Sequence, residues 1–238
     1  MRLLVLTLGM LSLASPASAQ WSAAVFLGNA ATSPVRLTIA SPDASLVIEP
    51  VELRDESSSS PWYYGGRVTR TFARARWLGV EAEFIHAKAI SDASQLVRVE
   101  GRLHDVAIDG QRPLGSVLPR FELSHGLNFV LANIAVFWPL HSARPDPPIV
   151  LVARFGAGPT VPHVEAVFDG QSEHRYQLGG AAVGGTVGAQ IRLLSRVAAV
   201  IEFKATRTAQ HVDVGTARLE GLFATRHAIV GVAWSITS

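Results

Sequence analysis

Apolar and polar residues alternate along several segments of this chain. In residues 77–84 the even positions are apolar, while Glu81 and Glu83 occupy odd positions. In residues 197–206 apolar side chains occupy the odd positions, and residues 230–236 again place their large apolar side chains on one parity. Because successive side chains of a strand point to opposite faces, this period of two predicts β-strands with one apolar and one polar face.

Eight segments are predicted as strands on this pattern: residues 21–40, 62–72, 77–90, 122–139, 148–166, 177–194, 197–210 and 225–236. The short connections between them are residues 73–76, 140–147 and 195–196, and the long connections are residues 41–61, 91–121, 167–176 and 211–224. Short turns on one side and long loops on the other are typical of bacterial outer-membrane barrels. The pattern therefore predicts an all-β fold, an eight-stranded antiparallel transmembrane β-barrel over residues 20–238.

The composition favours a barrel in lipid over the alternative, an all-β soluble sandwich. Hydrophobic residues make up 48% of the chain and charged residues 17%, below the roughly 25% that is usual for soluble domains. One largely apolar run, residues 127–140, contains Asn128, Asn133 and Pro139, which argues against a spanning helix. We therefore expect lipid, rather than a second sheet, to cover the apolar faces.

Residues 1–19 have the features of a secretory signal peptide. Arg2 supplies a positive charge, residues 3–13 are apolar, and Ala17-Ser-Ala19 matches the small-residue cleavage pattern. The apolar run is about half as long as the roughly twenty residues that a spanning helix needs. We predict cleavage after Ala19 and export of the mature chain to the bacterial outer membrane.

The charges argue against a nucleic-acid partner and predict a filled interior. The net charge is +2 and the basic residues are not clustered, whereas tracking of phosphates needs a basic patch. Charged residues on the inward parity are expected to form an internal salt-bridge network, with acid–base work by paired carboxylates as the alternative. These residues are Glu81, Glu83, Arg154, Arg192, Glu202 and Lys204.

Three histidines are predicted at the outer end of the barrel, the end with the long loops. His86 ends the third predicted strand, His125 begins the fourth and His163 closes the fifth. Strand parity points His86 and His163 outward, near where lipid head groups begin, and Glu165 lies close by. Imidazoles at one level can bind a divalent metal or transfer protons near neutral pH. The alternative is that these histidines are simply tolerated at an interface.

Segments around these histidines resemble a known family. They are Phe84-Ile-His-Ala-Lys88, Ser124-His-Gly-Leu-Asn-Phe129 followed by Ala132-Asn133, Gly156-Ala-Gly158, Val161-Pro-His-Val-Glu165, Tyr176-Gln-Leu-Gly179 and Glu202-Phe-Lys-Ala-Thr206. With them, residues 62–236 are similar to the lipid A oxidase family of rhizobial outer membranes.

This resemblance implies an outer-membrane enzyme that acts on lipid A. The family uses dioxygen to convert the proximal glucosamine of lipid A to aminogluconate and releases hydrogen peroxide. It implies no organic cofactor, and the sequence contains no nucleotide or flavin fingerprint. Our hypothesis is that His86, His125 and His163 hold a divalent metal and form the catalytic site together with Glu165. The expected partners are lipopolysaccharide, outer-membrane lipids and the barrel assembly machinery.

The residues also leave two alternative functions. One is a non-enzymatic barrel whose loops have a structural or surface-interaction role. The other is a lipid A deacylase, which would combine a histidine with a serine and an acid. Ser124 precedes His125, but adjacent residues of a regular strand point to opposite faces. We therefore do not expect these two residues to form a catalytic dyad.

Overall fold

The computed structural model describes residues 20–140 and 147–236, which fold almost entirely into antiparallel β-strands. The predicted signal peptide, residues 1–19, lies outside the described residues, as does most of the predicted turn at 140–147. Within the two described ranges no helix is long and apolar enough to cross a membrane. The helical structure in those ranges is one 3₁₀ turn, Leu114–Ser116.

In the described part of the chain the strands are β1 (Gln20–Thr32), β2 (Val35–Ser41), β3 (Ala44–Val51), β4 (Leu53–Arg54), β5 (Tyr64–Phe72), β6 (Ala75–Ser91), β7 (Leu96–Leu103), β8 (Val106–Pro113), β9 (Arg120–Leu140), β10 (Ile149–Phe168), β11 (Gln171–Tyr176), β12 (Gly180–Leu194), β13 (Val197–Val214) and β14 (Ala217–Ser235).

Eight of these strands close into an antiparallel ring. Their order is β1, β5, β6, β9, β10, β12, β13 and β14, and β1 pairs again with β14. At the closure Leu27 of β1 pairs with Tyr64 on one side and with Val230 on the other. The predicted all-β antiparallel fold is confirmed, with eight strands in the ring. We call the end with the short turns at 73–74 and 195–196 the turn end, and the opposite end the extended end.

The first predicted strand, residues 21–40, consists of two separate strands. β1 ends at Thr32 and β2 begins at Val35, so the prediction of one continuous strand is wrong. Pro34 lies between them and has no N–H to donate to a strand ladder, which explains the break. β2 then leaves the ring and pairs with the extended end of β14.

The long loops that the sequence predicts contain further strands. Residues 41–61 include β3 and β4, residues 91–121 include β7 and β8, and residues 167–176 include β11. β2, β3, β7 and β8 pair in that order and continue the sheet beyond β14. Residues 211–224 belong to β13 and β14, because the alternation of buried apolar residues continues to the turn at 215–216.

The face of the ring that carries the apolar side chains changes along the length of the ring. Toward the turn end apolar side chains point outward and are exposed, and we call them the apolar band: Trp21, Val25, Leu27, Val68, Phe72, Val80, Phe84, Val130, Ile134, Val136, Trp138, Leu151, Phe155, Val183, Val187, Ile191, Ile201, Phe203, Val230, Val232 and Trp234. Toward the extended end apolar side chains point inward, and Ile48, Phe121 and Phe168 belong to one buried core. Polar interior and apolar exterior are therefore combined only at the level of the band.

Charged side chains fill the interior at the level of the apolar band. Arg67 donates two hydrogen bonds to Glu202, at 2.9 and 2.5 Å. Arg154 donates to Glu81 and to Glu202, at 2.7 Å in each case. All four side chains are almost completely buried. Glu202 thus holds two guanidinium groups together across the ring.

A second group completes this internal network. Lys204 pairs with Glu83, which also accepts a hydrogen bond from Asn133 at 3.0 Å. The two groups together contain three cations and three carboxylates, so the buried charge is balanced. The predicted internal salt-bridge network is confirmed for these residues. Arg192, which the sequence also assigns to the interior, lies instead at the mouth of the turn end.

Loss of the central carboxylate should destabilise the ring strongly. Glu202→Gln leaves Arg67 and Arg154 buried without full compensation, and we expect a loss of about 3–5 kcal/mol in the free energy of unfolding. Urea titration of the protein in detergent, followed by tryptophan fluorescence and by heat-dependent gel mobility, measures this loss. Glu220→Gln is the control, because its partner Arg218 is exposed and such pairs contribute under about 1 kcal/mol. Equal stability of the two variants would contradict the role of Glu202.

A hydrogen bond links the β7–β8 turn to the β10–β11 turn. The ring nitrogen Nε2 of His104 lies 2.8 Å from Oδ1 of Asp169. The hydrogen bond to Asp169, together with the negative charge of that carboxylate, raises the pKa of His104 above the ordinary value of 6.5. Protonated His104 therefore tethers the outermost hairpin of the sheet to the ring.

The tether should depend on pH. Because the pKa of His104 is raised in the folded state, its contribution is complete below pH 6.5 and is lost as the pH rises through the raised pKa. NMR titration of the His104 ring should give a pKa above 6.5, and Asp169→Asn should return it toward that value. The same pKa in both proteins would mean that the tether does not form in solution.

Candidate functional site

A β-bulge in β9 shapes the outer part of the ring near the predicted histidines. Between the pairs that Leu123 and Leu127 form with β6, three residues of β9 face a single residue of β6. Gly126 within this bulge has φ +128°, a conformation that suits glycine. A Cβ atom there would lie 2.7 Å from the ring of His86. Bulges redirect side chains, and this one places residues 124 and 125 on the same side of the sheet.

Ser124, His125 and Glu165 are in direct contact because of the bulge. Oε1 of Glu165 lies 2.5 Å from Nδ1 of His125 and accepts a hydrogen bond from Ser124 Oγ at 3.0 Å. The expectation that Ser124 and His125 face opposite sides is therefore wrong, since it assumed a regular strand. Ser124 Oγ lies 3.4 Å from the same Nδ1. A serine–histidine–acid relay needs the serine on Nε2 instead, so the arrangement is not that of a hydrolase triad.

His163 joins this group from the neighbouring strand β10. Its Nδ1 lies 3.8 Å from Oε1 of Glu165, and its ring centroid lies 5.0 Å from that of His125. His163 is 9% exposed, and its Nδ1 has no hydrogen-bond partner among the described residues. The ligand atoms of His125, His163 and Glu165 all lie within 4.8 Å of one another. We call these three residues the rim cluster.

The rim cluster has the donor set of a divalent metal site. Two imidazoles and a carboxylate are ligands typical of zinc and of other transition metals. Ligand atoms on one tetrahedral zinc ion lie roughly 3.3 Å apart, given metal–ligand distances of about 2.0–2.1 Å. The distances from Glu165 Oε1 to His125 and His163, 2.5 and 3.8 Å, lie on either side of that spacing. The unpaired, buried Nδ1 of His163 is the atom that such an ion would satisfy.

His174 is a fourth residue at this site, and the sequence analysis missed it. It lies on β11, directly opposite Glu165, and its Nε2 is 3.7 Å from Oε1 of Glu165. Residues 167–176 were predicted as a loop. The signal that reveals the strand is Asp169-Gly170, because Asp-Gly is a strong two-residue hairpin turn. A hairpin at that turn places residues 165 and 174 opposite each other.

His86 lies outside the rim cluster. Its Nδ1 bonds with Oδ1 of Asn128 at 2.9 Å, and its ring stacks on Tyr64 with centroids 4.8 Å apart. His86 is 4% exposed, although its parity is that of the outward face. The structure thus brings together three of the four predicted site residues, His125, His163 and Glu165, and holds His86 in a separate pair with Asn128.

Ser124, His125 and Arg120 together stabilise the negative charge of Glu165. The guanidinium of Arg120 lies 2.5 Å from Oε2 of Glu165, while Oε1 faces the histidines. Burial alone would raise the pKa of Glu165. The hydrogen bonds from Ser124 and His125 and the charge of Arg120 outweigh burial, and they hold the pKa of Glu165 below its ordinary value. Glu165 is therefore ionised at neutral pH.

His163 is also held in its deprotonated state. Burial lowers the pKa of His163, and the nearby rings of His174 and His125 lower it further, against the opposing effect of Glu165. His163 is therefore neutral at neutral pH. A neutral imidazole and an ionised carboxylate are the states that bind metal ions.

Solved structures with similar folds cover nearly all of this chain. Neisserial surface protein A is 9% identical, with 90% of this chain and 96% of that chain covered and a TM-score of 0.44. The outer membrane protein OprG from Pseudomonas aeruginosa is 10% identical, with 92% and 95% covered and a TM-score of 0.44. The outer membrane protease OmpT from Escherichia coli is 9% identical, with 92% and 98% covered and a TM-score of 0.42. No family model and no curated protein matches the sequence.

We expect the rim cluster to bind one divalent metal ion. His163→Ala and Glu165→Gln should each lower the affinity for Zn²⁺ by at least about 10–100-fold, because even the loss of an outer-shell partner costs that much. Calorimetric titration of the protein in detergent measures the affinity. His86→Ala is the control and should bind Zn²⁺ as the wild type does. Unchanged binding in the first two variants would exclude the cluster as a metal site.

Proposed function

We propose that the chain is a bacterial outer-membrane β-barrel enzyme that oxidises lipid A at its rim. The observation that carries the proposal is the position of the rim cluster, just beyond the edge of the apolar band. The resemblance in sequence to lipid A oxidases supplies the reaction, and the chemistry of the rim cluster supports it.

The apolar band supports a membrane location. Its exposed side chains on β9 extend over residues 130–138, and β10 presents an apolar outward face over residues 151–159. Each segment contains nine residues, and a tilted strand needs about 9–11 residues to cross a bilayer. An apolar surface that surrounds a whole ring far exceeds the patches that soluble monomers expose. The buried charges inside the ring fill its lumen, which argues against a diffusion channel.

The rim cluster lies at the level where a sugar head group would meet the barrel. His163 is four residues beyond Pro159 on β10, or about 13 Å along the strand. The hydrocarbon of a bilayer is about 30 Å thick, and head groups extend it to about 40–45 Å, which gives a layer of roughly 5–8 Å on each side. At a strand tilt of about 45°, His163 lies about 9 Å above the band along the membrane normal, at the outer edge of that layer. The glucosamine units of lipid A lie in this head-group layer. A side chain above the apolar band can therefore reach the sugar without leaving the barrel surface.

The reaction needs groups that move protons and bind an oxidant. Oxidation of the anomeric carbon to a lactone passes two electrons and two protons to dioxygen, which leaves as hydrogen peroxide. Water then opens the lactone, so the aminogluconate has one oxygen atom more than the glucosamine. A divalent transition metal bound at the rim cluster would supply the redox chemistry. Glu165 contacts Nδ1 of His125, and these two residues would hold that ion together with His163. The interactions that keep Glu165 ionised, with Arg120 among them, would keep it able to bind the ion.

The mass of lipid A from living cells tests the proposal. Lipid A from a strain with the wild-type chain should contain a species heavier by one oxygen atom than lipid A from a deletion strain. His163→Ala and Glu165→Gln should abolish that species, because each removes a member of the rim cluster. His211→Ala is the control, since His211 lies on β13 and outside the rim cluster.

The other outcomes separate the alternatives. Loss of an acyl chain in the wild-type strain would indicate a deacylase. Identical lipid A in the wild-type and deletion strains would contradict the proposal and leave the non-enzymatic barrel, for which the filled interior of the ring is sufficient.

A further inference from the structure

Two arginines stand on the outward face of the ring, at the edge of the apolar band. Arg207 on β13 lies beyond Phe203, and Arg226 on β14 lies beyond Val230. Both arginines are exposed and share the outward parity of these apolar residues. Along β14, residues 226–234 cover nine positions, which is the length of one membrane crossing. Arg226 therefore lies at the end of the band that is farther from the turn end.

The two arginines are close neighbours in the sheet. Arg207 pairs with Ala224, and Arg226 pairs with Ala205, so the arginines are diagonal partners on adjacent strands. Diagonal partners lie roughly 7–8 Å apart between their Cα atoms. Two long guanidinium side chains at that separation can converge on a single phosphate group and donate hydrogen bonds from both sides.

Small side chains flank this pair along its own strands and on β1. The nearest outward positions there are exposed alanines: Ala31, Ala205, Ala209, Ala224 and Ala228. Larger apolar side chains border the group, since Arg207 pairs with Val183 of β12 and Leu222 lies diagonal to it on β14. Alanine side chains are short, so the guanidinium groups project beyond them. The arginines and the alanines together form a shallow recess with a positively charged centre, and we call it the arginine recess.

Neither arginine has a counter-charge within the described part of the protein. No carboxylate of the described residues forms an ion pair with Arg207 or Arg226, and the nearest acidic side chain on β14, Glu220, is paired with Arg218. An arginine at the lipid face is tolerated near the interface but destabilising deeper in the bilayer. A bound anion that is not part of the chain would neutralise the arginines and so remove this destabilisation.

We propose that the arginine recess binds a phosphate group of lipid A. This inference rests on the outer-membrane location in the proposed function, because the recess faces the outer leaflet only in that orientation. The alanines leave room for the acyl chains or the sugar beside the phosphate. The recess lies on β13 and β14, whereas the rim cluster lies on β9 and β10. It is therefore a docking surface separate from the candidate catalytic residues.

Native mass spectrometry of the full chain in detergent tests the proposal. The ligand is lipid A that carries its phosphate on the distal glucosamine and has a free anomeric hydroxyl on the proximal glucosamine. Arg207→Gln and Arg226→Gln should each lower the affinity about tenfold, and the double variant about a hundredfold, as expected for the loss of charge-assisted hydrogen bonds. Arg196→Gln is the matched control, because it removes an exposed arginine at the turn end and should bind like the wild type. Lipid A without phosphates should bind the wild type only weakly. Its affinity should be no higher than the affinity of intact lipid A for the double variant.

Further measurements separate a loss of lipid A binding from a loss of folding and from a loss of oxidation. Heat-dependent gel mobility shows whether each variant folds, and Arg207→Lys retains the charge and should bind with intermediate affinity. Full binding by the folded double variant would overturn the proposal, and so would equally strong binding of phosphatidylglycerol. His163→Ala should bind lipid A normally while failing to oxidise it. Loss of binding and loss of oxidation are thereby distinguished, so the recess and the proposed enzyme can fail separately.

Discussion

The pairing of β1 with β14 is the constraint on which the rest of the structure depends. It closes the sheet, so every strand of the ring has a neighbour on each side and the ring has no free edge. A closed ring can turn an apolar surface outward, because its backbone groups are already hydrogen-bonded within the sheet. The inward parity is then left for polar side chains. The buried network of three cations and three carboxylates follows from closure, because charges in an enclosed interior must be paired.

At the extended end of the same sheet the apolar side chains point inward instead of outward. There β2, β3, β7 and β8 join the ring strands around a buried apolar core. The change in sidedness occurs along single strands, such as β9, within a few residues. On β9 the odd positions stay buried on both sides of the bulge, and it is their residue types that change, from Phe121 and Leu123 at the extended end to Asn133 at the level of the band.

The side chains of the candidate site lie at this level, between the apolar band and the extended end. Just above the apolar band the outward positions of β9 and β10 carry histidines and a carboxylate, which are partly buried beside the β10–β11 hairpin. Glu165 is the centre of this arrangement, since it contacts Ser124, His125 and Arg120 and lies near His163 and His174. Its hydrogen bonds define the protonation states that the rim cluster would need for binding metal.

Much of the fold was predictable because it depends on local periodicity. Alternation in residues 77–84 and 197–206 identifies β6 and β13 directly, and the parity of Glu81, Glu202 and Lys204 correctly assigns them to the interior. The strands of the extended end were missed because they are shorter and carry more charge. Two of their signals were nevertheless present, namely Pro34 as a strand breaker and Asp169-Gly170 as a hairpin turn.

The sequence by itself determined that this chain alternates apolar and polar faces, that eight strands form the ring, and that histidines follow three neighbouring strands. Only the tertiary structure decided which histidines meet. The bulge in β9 inserts two extra residues, so the parity of the strand is the same on both sides of it, but within the bulge His125 turns to the same side as Ser124. The partner of His125 is a carboxylate forty residues away on another strand. His174 enters through the pairing of β11, whereas His86 is kept apart by its bond to Asn128. These contacts depend on register between distant segments, which local patterns do not specify.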